Sequence, residues 1–144
     1  MDVETQVRLV KDLWSDHAEK LLSGALDPDD STYTIEELKK EVQAGKSELF
    51  RCELLLDDGW RLLGWGVLFI EDFGGGRECV FQAGASLTHA VKSLKVAIPA
   101  VEEWARSNGC VSVRTHIVRG RGSLKRAFLG VGFKEVETVL RAKL

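Results

Sequence analysis

Between residues 78 and 133 the spacing of apolar side chains switches from a period of two to a period of 3.6, back to two, and then to a short helical stretch. A chain written this way folds as strand, long helix, strand and short helix. Ala90, Leu94, Ile98, Val101 and Ala105 trace one face of the long helix, which Gly109 closes. Pro99 lies inside it, removes one backbone donor and predicts either a kink or a restart. Over 110–118, Val111, Val113, Thr115 and Ile117 alternate with Ser112, Arg114 and His116, which is the pattern of a half-buried strand. Residues 123–130 read as the short helix, ended near Gly132-Phe133. Val136, Thr138, Leu140, Ala142 and Leu144 then alternate along a closing strand.

The N-terminal half opens with Val7, Val10, Leu13, Trp14, Ala18 and Leu21 at three- and four-residue steps, predicting one amphipathic helix over about 3–23. His17 lies near its apolar stripe and reads as a core-edge histidine, because no second metal-binding side chain sits at helical spacing. Thr34 and Glu37 form a capping box for a second helix, which Gly45 ends. Strands follow over 48–56 and 60–71, joined by the tight Asp57-Asp58-Gly59 turn, and a third over 78–87 after Gly74-Gly75-Gly76. Apolar residues on both parities of the second strand predict a central position.

The 144 residues contain no repeat, linker or low-complexity block and read as a single domain, 1–144. No apolar run reaches the ~20 residues of a membrane-spanning helix, and the N-terminus lacks the pattern of a signal peptide. A cytoplasmic location is expected, of a host cell or within a virion. Cys52, Cys79 and Cys110 show no CxxC spacing, so neither a disulfide framework nor a zinc site is expected. The net charge of −2 is uneven: residues 109–144 carry eight Lys/Arg against Glu135 and Glu137, net +6, which leaves −8 on residues 1–108. That polarity favours an anionic partner near the C-terminal region.

The run Val101-Glu102-Glu103-Trp104-Ala105-Arg106-Ser107-Asn108-Gly109 before a strand, followed by Phe128-Leu129-Gly130-Val131-Gly132-Phe133, resembles the GNAT acyltransferase family. The similarity extends over essentially the whole chain, less that family's usual first strand. It implies an α/β (α+β) fold with a mixed, mainly antiparallel central sheet flanked by helices, in the order α-α-β-β-β-α-β-α-β. It also implies a loop of the form Gln/Arg-x-x-Gly-x-Gly/Ala, whose amides hold the pyrophosphate of acyl-CoA where the third meander strand enters the long helix.

Counting back from Gly109, the glycine positions of that loop fall on Lys92 and Leu94. The tyrosine that reprotonates the leaving thiolate in many members corresponds to Phe128, and the common asparagine corresponds to Arg121. A bulky side chain at the phosphate site and a ring without a transferable proton point to a scaffold that has lost acyl transfer. Such a scaffold, with no cofactor, would work by binding a protein partner, by self-association or structurally, like degenerate bacteriophage-encoded, virion-associated relatives.

The alternative is an N-acyltransferase using acetyl-CoA or another acyl-CoA. In it Lys92 and Ser93 hold the cofactor with Gln82, Ala83 and Gly84, and Glu71, Glu78 and His116 are the candidate proton-transfer groups. A second alternative is nucleic-acid binding through the basic residues Arg114, Arg119, Arg121, Lys125 and Arg126. Trp60, Trp65, Phe69 and Phe81 belong to the core, or, where exposed, to a protein-binding surface.

Overall fold

The computed structural model describes residues 6–26, 34–87, 90–117, 122–137, 140, 142 and 144. Antiparallel pairing joins β1 (Val7–Lys11), β2 (Glu48–Leu56), β3 (Gly59–Phe73) and β4 (Gly76–Ser86), and β5 (Ser112–Thr115) adds in parallel to β4. Spatial order follows chain order, so β3 is central, as its two-sided apolar pattern predicts.

The N-terminal segment departs from the single helix that its spacing predicts. Residues 7–11 form β1, and α1 (Asp16–Ala25) begins only after Ser15, whose hydroxyl accepts the Ala18 N–H at 3.2 Å. Val7, Leu9 and Val10 satisfy a helical or an extended reading equally. The ladder to β2 decides between them, with Arg8 opposite Glu53 and Leu9 opposite Cys52. The first strand that the family resemblance lacked is therefore present.

Helix α2 (Ile35–Gln43) starts at the predicted cap, with Glu37 N–H donating to Thr34 Oγ1 at 3.2 Å. Helix α3 (Ala90–Ser107) runs through Pro99 without restarting, and α4 (Gly122–Gly130) follows β5. Helices α2, α3 and α4 end alike: Gly45, Gly109 and Gly132 adopt φ of 76, 77 and 100°, and the next N–H returns to a carbonyl five residues back. This is the Schellman closure that only glycine makes without strain.

The closing strand expected over 136–144 is absent among its described residues, which lie outside helices and strands, with Val136, Leu140 and Leu144 exposed. Two features account for this at its start. β5 offers a ladder of only four residues, and Glu135 is held against α4 by Lys125 at 2.9 Å.

Each face of the sheet carries its own core. On one, Ala18 and Leu22 of α1 and Leu38 of α2 pack against Leu49, Trp65, Val67 and Ala83. On the other, Val101 and Ala105 of α3 cover Phe50, Leu68 and Cys79, while Leu94 and Ile98 meet Ala127 and Phe128 of α4. Truncating a fully buried leucine such as Leu38 costs about 2–5 kcal/mol. Cys52 and Cys79 are buried, reduced thiols, as expected, whereas Cys110 is only partly covered.

Candidate functional site

Strand β5 pairs with β4 only from Glu78 opposite Ser112 to Phe81 opposite Thr115. β4 continues to Ser86, so residues 82–86 run on without a β5 partner and the two strands part. A bulge coincides with the fork, because Val67 faces Ala83 while Leu68 faces Phe81, leaving Gln82 as the extra residue. The Gln82 side chain is anchored on α2 and the turn after it: it accepts from Ser47 Oγ at 2.6 Å and donates Nε2–H to Glu41 Oε2 at 3.0 Å. On the β5 side, Thr115 Oγ1 donates to the Phe81 carbonyl at 3.1 Å and holds the fork's apex.

A cavity of about 840 Å³ opens at this fork. Its walls include β4 residues 82–86, Ser93 and Leu94 of α3, Thr115 and His116 at the end of β5, and Phe128 of α4, with α1 opposite. Glycine keeps the wall thin. A Cβ on Gly84 would stand 2.6 Å from Phe81 Cζ, and one on Gly64 would stand 2.0 Å from the Ala85 carbonyl oxygen, which is backbone and has nowhere to go.

The residues proposed from sequence divide sharply. Gln82, Ala83, Gly84, Ser93 and His116 come together on the cavity wall, with His116 exposed. Lys92 does not line it and points to solvent. Leu94 does not stand in front of the helix start, where the sequence alone would put it. α3 begins at Ala90, so Leu94 lies inside the helix, 9% exposed, packed on Ile98, Ala127 and Phe128. Leu94 thus packs on the core beneath α3 and α4 while still forming part of the cavity wall.

Phe128 is 3% exposed, with Phe81 edge-on at 6.3 Å and Phe133 at 5.0 Å. It presents a ring to the cavity and no proton.

Glu71 and Glu78 lie outside the cavity. They face each other across β3 and β4, and Arg114 binds both, at 2.7 Å to Glu71 and 3.4 Å to Glu78. Ser112 Oγ adds a 2.8 Å hydrogen bond to Glu78. A carboxylate held this way is occupied as an acceptor and poorly placed to collect a proton.

The basic cluster is likewise partly spent, since Arg114 is in this network and Lys125 pairs with Glu135. Arg126 is exposed, and Arg119 and Arg121 lie outside the described residues. Of the meander aromatics, Trp65 is buried. Trp60 stays 37% exposed, with the Arg8 guanidinium 4.0 Å above its ring.

The sequence places His17 beside the apolar stripe as a partly buried core-edge histidine; the structure keeps it beside Trp65 but exposes it. It lines the cavity from α1 and meets Trp65 edge-on at 4.9 Å, while Trp65 Nε1–H is fixed on Asp12 at 3.1 Å.

Burial raises the thiol of Cys52, another wall residue, to about 11, assisted by the neighbouring Glu53 charge. It is therefore a neutral thiol at physiological pH. Among the described residues no group of three or more His, Cys, Asp or Glu is arranged to hold a metal ion. No helix among them is long and apolar enough to cross a membrane.

No protein-family model matches the chain, and no curated protein matches it. Solved structures do. The chain superposes on a structure described as a probable acetyltransferase with a TM-score of 0.65 at 17% identity, covering 95% of this chain and 96% of that one. An acetyltransferase from Trypanosoma brucei gives 0.61 at 19% identity, covering 98% and 100%. An aminoglycoside N-acetyltransferase in complex with CoA gives 0.62 at 17% identity, covering 98% and 95%. At such identities the likeness shows the fold, a five-stranded, mostly antiparallel open sheet flanked by helices, which is the GNAT-like fold.

Proposed function

We propose that the chain is an acyl-CoA-dependent N-acyltransferase. The observation that carries this reading is the cavity at the β4–β5 fork. Its volume of about 840 Å³ lies within the range of ~300–1,000 Å³ usual for small-molecule sites. It is walled by a strand edge without a β5 partner, glycine at position 84 and the beginning of α3. The solved acetyltransferases of the same fold, one of them a CoA complex, support the same reading.

In this reading residues 82–86 hold the pantetheine arm along their edge, and the first turn of α3, with Ser93, faces the phosphates. Leu94 lends this wall an apolar side chain while packing on Ile98, Ala127 and Phe128. The bound thioester supplies an activated acyl carbon. The protein's contribution is to orient it, exclude water and move protons. With Phe128 lacking a hydroxyl, the proton for the departing thiolate comes from His116, at the C-terminal end of β5 on the cavity wall.

The test is thiol release from acetyl-CoA in the presence of primary amines. Wild type is expected to turn over, and His116→Gln to lose roughly 10²-fold in kcat, the lower end of what general acid catalysis supplies, at unchanged acetyl-CoA affinity. Absence of turnover with every amine would defeat the reading.

Phe128 favours a second reading, in which the scaffold no longer turns over and acts by binding a protein partner or a second copy of itself. It predicts tight association with no thiol release. Nucleic-acid binding through Arg114, Arg119, Arg121, Lys125 and Arg126 has less support, because Arg114 and Lys125 are already paired. It predicts affinity that falls steeply with salt. A virion role draws on sequence resemblance alone.

A further inference from the structure

We infer that His17 is the catalytic base that takes the proton from the acceptor amine; the inference rests on the acyltransferase reading. An acceptor amine arrives largely protonated, since an alkylammonium has a pKa near ~10, and must lose a proton before its lone pair can attack. Among the described residues lining the cavity, the ionisable side chains are His17, Lys20, Cys52 and His116. A lysine ammonium has donors and no acceptor. Cys52, raised to about 11, stays a thiol. Glu71 and Glu78, the carboxylates that sequence offers, are outside the cavity in the Arg114 network. Two imidazoles remain.

Their positions separate their tasks. His116 ends β5 at the fork, on the wall where the thioester sulfur would lie. His17 stands on the other wall, on α1, and its ring is oriented by Trp65, which is itself fixed by Asp12. A base held by a rigid aromatic is pre-organised, which general base catalysis requires. Leu21, one helical turn on, and Leu26 line the cavity beside it with Trp65, so the amine that suits this wall is carried on an apolar or aromatic body.

The step balances as follows. The imidazole nitrogen of His17 removes one proton from the ammonium. The amine lone pair forms the new C–N bond to the acyl carbon, and the C–S bond breaks with its electron pair on sulfur. His17 releases to solvent the proton it took, and the second proton lost from nitrogen passes to solvent as well. The thiolate is protonated from the His116 side, so the products are an N-acyl amine and free thiol. Nothing is oxidised or reduced.

The experiment uses the full chain with acetyl-CoA and phenethylamine or tryptamine as acceptors, measuring thiol release alongside acetyl-CoA affinity by calorimetry. His17→Ala is expected to lower kcat roughly 10²-fold with acetyl-CoA affinity within twofold of wild type, and added free imidazole is expected to restore part of the rate. His17→Phe, which retains a ring against Trp65, is expected to melt with wild type, lose the same rate and gain nothing from imidazole. Turnover by wild type that is unchanged in His17→Ala, or lost in it without imidazole rescue, overturns the assignment and leaves the acyltransferase reading standing. Absence of wild-type turnover with both amines overturns the assignment together with the arylalkylamine acceptor class, and absence of acetyl-CoA binding removes the reading on which both rest.

Discussion

The two ends of the β4–β5 pair use the same alternation of side chains to opposite effect. Where the strands run side by side, Glu71, Glu78, Ser112 and Arg114 hold one another across three strands. Four residues further on the strands part, and backbone edge, glycine and His116 face a cavity that His17 of α1 lines from the other side. Charged residues in strands are thus a poor guide to chemistry until the register is known. A cross-strand partner turns a candidate base into a structural ion pair, while the loss of a strand partner turns an ordinary run of Ala, Gly and Ser into the wall of a cavity.

The largest expected effect breaks the open end. Gly84→Leu drives a side chain into Phe81 and the fork, and acetyl-CoA affinity is expected to fall roughly 10–100-fold, the equivalent of the ~1–3 kcal/mol that overpacking costs. Calorimetry with retained cooperative melting as the control checks it.

Next in size is a rescue at the same end. Phe128→Tyr introduced into the His116→Gln variant returns a transferable proton near the Phe128 ring and is expected to recover about tenfold in kcat, below the 10²–10⁴ of a fully positioned acid. Stopped thiol-release assays of the single and double variants measure it. No recovery would mean that proton delivery to sulfur does not limit the rate.

Breaking the paired end should cost stability and nothing else. Arg114 is 27% exposed and Glu71 49%, so Arg114→Ala is expected to lower stability by about 1 kcal/mol or less in urea titrations, while acetyl-CoA affinity is unchanged.

The smallest effect concerns the other closed ion cluster, on β1 and β2. Burial raises the carboxyl pKa of Glu53, but the hydrogen bonds and charges of Arg51 and Arg8 outweigh it and hold the group below its ordinary value. A depressed folded-state pKa contributes stability above the unfolded value near ~4.3, which is lost as pH falls through the folded one. Glu53→Gln is therefore expected to be less stable than wild type at pH 7, with the gap narrowing below about pH 4, as thermal melts across pH would show.

Much of this architecture is legible without coordinates. The meander, the central place of β3, the long helix, and the capping of α2 by Thr34 all follow from apolar period and turn chemistry. The N-terminus was not, because Val7, Val10, Leu13 and Trp14 fit a helical stripe and only the ladder to β2 makes residues 7–11 a strand. The site was half legible: Gln82, Ala83, Gly84, Ser93 and His116 do converge, since strand order and a helix start are topological facts. The direction of Leu94 and the capture of Glu71 and Glu78 by Arg114 depend on rotation about a helix axis and on register, which counting along a chain does not provide.

The central claim is that the strands' parting beyond Phe81 and Thr115 makes a coenzyme site. Titration calorimetry of wild type, Gly84→Leu and Arg114→Ala with acetyl-CoA tests it directly. The account predicts saturable 1:1 binding by wild type and Arg114→Ala, at dissociation constants on the order of micromolar, about −8 kcal/mol, and at least tenfold weaker binding by Gly84→Leu. No heat of binding to the folded wild type, or equal affinity in Gly84→Leu, would contradict it.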